Sequence, residues 1–282
     1  QLAVFEDGTR SYLQSFDPDV EDNPYDHQLS FDNTGFLDKG SESFTLKTDY
    51  DLGDALGYED VTATLIVGSS ELYIDSEVDT DTSPADLATL PVASIADQKT
   101  LEFRLTGSTE QGVFGVGESL EYVFGLFYID SGFKQKVDLI AGEDIASYAT
   151  TTDAQQLAGA GALGLPDINL PGGLLDVLNT IGGSAIGEDY YRLFLSVDSQ
   201  ATALFAQVTW ALSERWTVTP GIRFNREEKD VIVTGESFCA AKALIPNCVL
   251  GTFLDSADYA ERDLNKKESD VSPKLSIQYF MK

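Results

Sequence analysis

The side chains able to do chemistry are few and far apart. The one histidine, His27, lies in the run NPYDHQLS. No nucleophile elbow accompanies it, so Ser-His-Asp catalysis has nothing to build on. The two cysteines, Cys239 and Cys248, are distant from it in sequence and do not complete a metal-ligand pattern. They read as a loop-closing disulfide of an oxidising compartment, with two free thiols as the alternative. Acids are plentiful, 47 against 18 bases. Pairs such as Asp79/Asp81 and Glu143/Asp144 have the chemistry for general acid–base work or for holding Ca²⁺. Acids this common make any one pair uninformative, and DTDTSPAD over 79–86 matches a Ca²⁺ loop only faintly. No phosphate-cradling Gly motif and no His/Cys cluster occurs. The expectation is a protein that is not an enzyme and has neither a resident metal nor a cofactor.

Such residues need a framework, and composition bounds it. A formal net charge of −29 argues against nucleic acid, which demands clustered Lys and Arg. With 43% hydrophobic and 11% aromatic residues the chain can bury a core. No run approaches the roughly 18–20 apolar residues of a membrane helix. A membrane β-barrel would lack one too, because lipid-facing and lumen-facing residues alternate. Gln1 to Phe5 carry neither a basic n-region nor a cleavage signal, as in a mature or truncated chain.

Period-two alternation recurs in segments of about 10 residues. Phe44, Leu46, Tyr50 and Leu52 alternate with Thr45, Lys47, Asp49 and Asp51. Leu101, Phe103 and Leu105 alternate with Thr100, Glu102 and Arg104. Leu120, Tyr122, Phe124, Leu126 and Tyr128 form a greasy stripe opposite Glu121 and Gly125. Leu204, Val208 and Trp210 oppose Gln207 and Thr209. Trp216, Val218, Ile222 and Phe224 oppose Thr217, Thr219, Arg223 and Asn225. Val271, Leu275, Ile277 and Tyr279 oppose Ser272, Lys274, Ser276 and Gln278. The predicted strands are 2–13, 41–52, 58–74, 98–109, 118–132, 199–211, 215–231 and 269–281. The fold class expected is all-β, a transmembrane antiparallel barrel, with residues 1–282 part of one barrel domain.

Connection lengths separate this from a soluble sandwich. Short links (Gly53–Gly57, Gly107–Gly117, Leu212–Glu214) alternate with long ones near 14–40, 75–97, 131–197 and 232–268. Outer-membrane barrels show that asymmetry, with tight turns inside and long extracellular loops, whereas sandwiches have short loops at both ends. Tyr50, Tyr58, Tyr122, Trp210, Trp216 and Tyr279 fall near the short-turn ends, where amphipathic rings would sit at the headgroup level. Ordinary strand aromatics, scattered along the strands, are the alternative. Lys47, Asp49, Glu102, Arg104, Glu121, Arg223 and Lys274 take the opposite phase and are the lumen-facing candidates. So many charges suit a wide, wet interior and hence a longer barrel than these strands could close alone. The Gly-, Ala- and Leu-rich stretch 154–187 is the connection best placed to touch a ligand, with a packed surface loop as the other reading.

The stretch ATALFAQVTWALSERWTVTPGIRFNREEKD, then SPKLSIQYF, resembles the mid-barrel hairpin of TonB-dependent outer-membrane receptors. SFTLKTDYDLG, QKTLEFRLTGS and EYVFGLFYID resemble that family too, so the likeness covers Ser43 to Phe280 in pieces. Within it, Pro220 predicts a β-bulge, since proline lacks a ladder donor. The resemblance implies a barrel of about 22 strands. It also implies an N-terminal plug, with the plug and the C-terminal closing strands outside this stretch. It further implies energised import of siderophore-iron, haem, cobalamin or oligosaccharide through the TonB complex. The implied partners are outer-membrane lipids, lipopolysaccharide and a small-molecule ligand, in the outer membrane of a Gram-negative bacterium. A passive porin-like channel and a secreted β-rich adhesion module stand as the alternatives.

Overall fold

The computed structural model describes residues 7–20, 29–55, 58–110, 112, 116–148, 190–238 and 262–281. Seven strands form one antiparallel meander in sequence order: β1 (Phe36–Ala55), β2 (Tyr58–Asp79), β3 (Ala88–Thr109), β4 (Ser119–Ala141), β5 (Tyr190–Ser213), β6 (Trp216–Phe238) and β7 (Arg262–Tyr279). Among the described residues two helices, α1 (Asp7–Leu13) and α2 (Ile145–Tyr148), lie outside the sheet. The all-β class therefore holds, and β1 and β7 are its edge strands.

Register explains the alternation. Opposed residues share a face, and one lateral row runs Thr48, Leu65, Phe103, Leu126, Leu204, Phe224, Val271. The next runs Tyr50, Ala63, Leu105, Phe124, Ala206, Ile222, Pro273. These rows make an apolar belt on one face of a single sheet. Among the described residues no second sheet covers it: Phe124 is 41% and Ile222 55% exposed. On β4 the belt runs from Leu120 to Tyr128. At about 3.3 Å per residue and barrel tilt this gives a band about 20–25 Å tall, the height of an outer-membrane barrel's lipid belt.

Four expectations need correcting. Residues 7–13 are helix α1 rather than part of a strand, and Tyr12 meets Phe16, just past the helix, in a tilted ring contact (5.3 Å between centroids). The connection expected at 75–97 is mostly strand, leaving only 80–87 as loop. The other long connections shrink likewise: β1 starts at 36, β4 runs to 141, β5 starts at 190, β6 runs to 238 and β7 starts at 262. Pro220 causes no bulge, since β6 keeps step with β7 through the Pro220–Leu275 pair, and the β5–β6 register shift falls at Ala211/Ser213. Proline there leaves gaps in the β5–β6 ladder without adding a residue.

The two ends remain unequal. Links 56–57, 110–118 and 214–215 lie at one end; 80–87, 142–189 and 239–261 lie at the other. At the short end, the Gly53 N–H donates to Asp51 Oδ1 (2.7 Å) and Gly53 takes φ +59°, a conformation glycine adopts without strain.

The strands overshoot the belt because their polarity inverts. Past the Leu46–Val67–Leu101–Tyr128 row, the belt face carries Glu71, Asp97, Asp130, Asp198 and Asp230. The other face turns apolar, with Leu72, Phe133, Val197 and Val231 in one row. Pairing continues through this switch without a bulge in β3–β4 and β4–β5. The change is one of chemistry, not of geometry.

Candidate functional site

The face opposite the belt is the candidate site. Lys47, Asp49, Glu102, Arg104, Glu121, Arg223 and Lys274 all lie on it, each a strand position out of phase with the apolar rows. The structure thus brings these seven onto one surface, although it spreads them over five strands. Asp49 accepts from Thr64 Oγ1 (2.7 Å) and pairs with Lys47 (3.0 Å). Arg104 Nε meets Glu102 Oε1 at 2.5 Å. Arg223 Nε donates to Asn225 Oδ1 (2.6 Å), and Asn225 Nδ2 donates onward to Asp270 (3.1 Å), which also accepts from Ser272 (2.8 Å). Lys274 Nζ reaches Gln207 (3.1 Å), while Glu121 lies in register with Ser108 and Thr209. Exposed pairs of this kind contribute little stability, and their effect is a wet, charge-balanced surface. Gly125 lies beneath the Phe205 ring, and a Cβ there would collide with it.

Above the charged rows a cleft of 520 Å³ opens across β1–β5. Ser43, Ser70, Gln98 and Ser131 supply polar groups in one lateral row. Leu72, Phe133 and Val197 supply apolar wall in another. It is an open groove on the charged side of the sheet, with an apolar wall and a few polar groups. Sequence reading missed it because the cleft straddles the polarity switch.

The aromatics named from sequence cluster at the short-turn end of the belt face. Tyr58 and Tyr122 meet at 4.7 Å, as do Trp216 and Tyr279. Trp210 Nε1 donates to the Val116 carbonyl (2.9 Å). Tyr50 points outward, 66% exposed, higher on the face. The proposed disulfide Cys239–Cys248, His27 and the stretch 154–187 lie outside the described residues.

At the opposite end lie two further features, the first without a sequence signal and the second known from sequence only as separate acid pairs. Arg192 binds Asp138 in a two-pronged pair (2.8 and 3.1 Å), Lys136 adds a third contact (2.8 Å), and Arg192 lies over the Tyr190 ring. Burial alone would raise the Asp138 carboxyl, but the two cations outweigh it and hold it below the usual range. The second is a knot of carboxylates around Asp79. Among the described residues no three Asp, Glu, His or Cys side chains form a metal-holding set.

Residues 3–280 match the family described as "TonB dependent receptor-like, beta-barrel". The fold is similar to the crystal structure of the ferric yersiniabactin uptake receptor FyuA from Yersinia pestis, with a TM-score of 0.51 at 12% identity. That alignment covers 88% of this chain and 27% of the receptor, so the chain spans about a quarter of that protein's length. Among curated proteins none matches. With nearly its whole length matched, the chain belongs to the TonB-dependent receptor β-barrel family.

Proposed function

We propose that the chain is a wall of an outer-membrane receptor that imports a scarce small nutrient with energy from the TonB system. The observation that carries this is a two-faced sheet: apolar rows without cover on one side, paired charges on the other. Lipid is the natural complement of the first face, and a water-filled passage of the second. In this reading the strands belong to one barrel domain of about 22 strands with a plug inside it. The short links face the periplasm, the long ones face outward, and the paired aromatics sit among headgroups, next to lipopolysaccharide.

The ligand classes in keeping with this reading are siderophore-iron, haem, cobalamin and oligosaccharide. FyuA takes up ferric yersiniabactin, which brings the siderophore class forward without deciding among them. The test is a deletion strain grown on a panel of iron sources and glycans, beside a strain lacking TonB. Loss of the same nutrient in both strains is the expected result. Uptake that persists without TonB would make the protein a passive channel, and release from membranes without detergent would make it an adhesion module.

A further inference from the structure

The face opposite the belt is not charged throughout. Its positions on β4 hold no charged residue from Val123 to Leu139, and those on β5 hold none from Leu193 to Gln207. The other face of the same stretches carries Asp130, Lys134, Lys136, Asp138 and Asp198. On the flanking strands the inward charges return, with Glu102 and Arg104 on β3 and Arg223, Glu227 and Lys229 on β6. Between them Phe127, Ile129 and Phe133 pair with Ala203, Ala201 and Val197, and the Phe205 ring covers Gly125. An apolar seam two strands wide thus runs along an otherwise charged wall.

Its details suit a dry cover. Because position 125 has no side chain, the Phe205 ring lies against the sheet instead of standing clear of it. The polar residues inside the seam turn their groups sideways into the sheet. Ser131 Oγ donates to the Ser199 carbonyl (3.4 Å), Ser199 Oγ to Glu227 (3.5 Å) and Gln135 Nε2 to Ser94 (3.2 Å). At about 3.3 Å per residue and 4.8 Å per strand the seam is about 50 Å long and 10 Å wide, roughly 500 Å². Uncharged patches of that size mark contact surfaces, because water at an apolar wall is unfavourable. A small solute would cover a short part of this length and leave the rest wet. A protein body of matching length would cover all of it.

We propose that the β4–β5 seam is where a protein body enclosed by the barrel docks an apolar face. The inference rests on the receptor reading above, in which that body is the plug, and adds the place where it is seated. Water has little tendency to enter between two apolar faces. The Glu102–Arg104 and Glu227–Lys229 pairs, by contrast, remain hydrated on either side. A plug that shifts during import therefore parts first from the charged flanks and keeps β4–β5 as its fixed side.

Photo-cross-linking in the intact receptor tests this. Phe127, Phe205, Asn225 and Phe224 are replaced in turn by p-benzoylphenylalanine, the protein is folded into vesicles with heat-modifiable mobility as the check, and it is illuminated without nutrient. Phe127 and Phe205 should link to plug peptides, Asn225 several-fold less, and Phe224 to lipid. Ile129→Asn sets an amide against the dry contact and should speed hydrogen exchange in the linked peptides about tenfold. Unchanged exchange would overturn the seam. So would links from Phe127 and Phe205 that match Asn225 in yield, stay within residues 142–189 or reach no protein, while lipid labelling at Phe224 leaves the membrane reading in place. Lipid labelling at Phe127 would overturn both.

Discussion

Phe224 and Asn225 are neighbours in β6 but face opposite ways, which makes them a matched pair for testing which face meets lipid. Phe224 stands in the central apolar row between Leu204 and Val271 and is 47% exposed. Asn225 points the other way, bonded to Arg223 and Asp270. In a bilayer, arginine at the middle of a barrel's lipid face costs about 2–4 kcal/mol. Phe224→Arg should therefore lower the folding equilibrium about 30- to 1,000-fold. Asn225→Arg puts its charge beside Asp270 in water, where a new exposed pair is worth about 0–1 kcal/mol. Urea titration of the intact receptor folded into vesicles, with heat-modifiable gel mobility as the marker of the folded barrel, measures both. Equal losses, or a larger loss for Asn225→Arg, would refute the assignment of faces and the membrane reading with it.

Other perturbations should give distinct outcomes. Arg192→Met leaves buried Asp138 with Lys136 alone and should cost about 3 kcal/mol, with a smaller loss when Asp138→Asn is added; a double-mutant cycle in urea checks it. Because the Asp138 carboxyl is held low, the stabilisation from this pair is present at neutral pH and should fade only as pH drops through and below the ordinary aspartate range, which acid titration of exchange in β4–β5 would show. Trp216→Ala should lose about 0.5–1.5 kcal/mol of coupling with Tyr279 beyond simple burial, read as non-additivity with Tyr279→Ala. If loop acidity repels ligands, uptake of an anionic ligand should rise with salt, and a flat response would discard that idea.

The lower half of each strand was plain in the sequence because apolar side chains there keep one phase. The upper half was hidden by the change of phase. In β5, Leu204, Val208 and Trp210 hold even positions, but Leu193, Leu195 and Val197 hold odd ones. In β6, Ile222 and Phe224 give way to Val231 and Val233. A fixed-phase reading stops at the switch and takes the remainder for loop, which is how most of 75–97 and the two ends of 131–197 were misassigned. That the seven charged residues share one face was legible for the same reason the belt was, since that face is its complement. The Asp138–Arg192 pair was not, and the acids around Asp79 were visible only as separate pairs, because each feature joins segments distant in the chain that the fold brings together. Helix α1 lacked any signal stronger than the weak alternation that pointed to a strand.

Among the described residues the two outer strands of the meander, β1 and β7, each have a neighbour on one side only. Along the other side their peptide groups at belt height would confront hydrocarbon, where each unmet N–H or C=O costs several kcal/mol. Oil offers such a margin no water to bond with, so this sheet persists in a bilayer only where additional backbone is zipped onto both flanks. Produced by itself, the 282-residue stretch should consequently seek that backbone in other copies of itself and gather into insoluble ribbons.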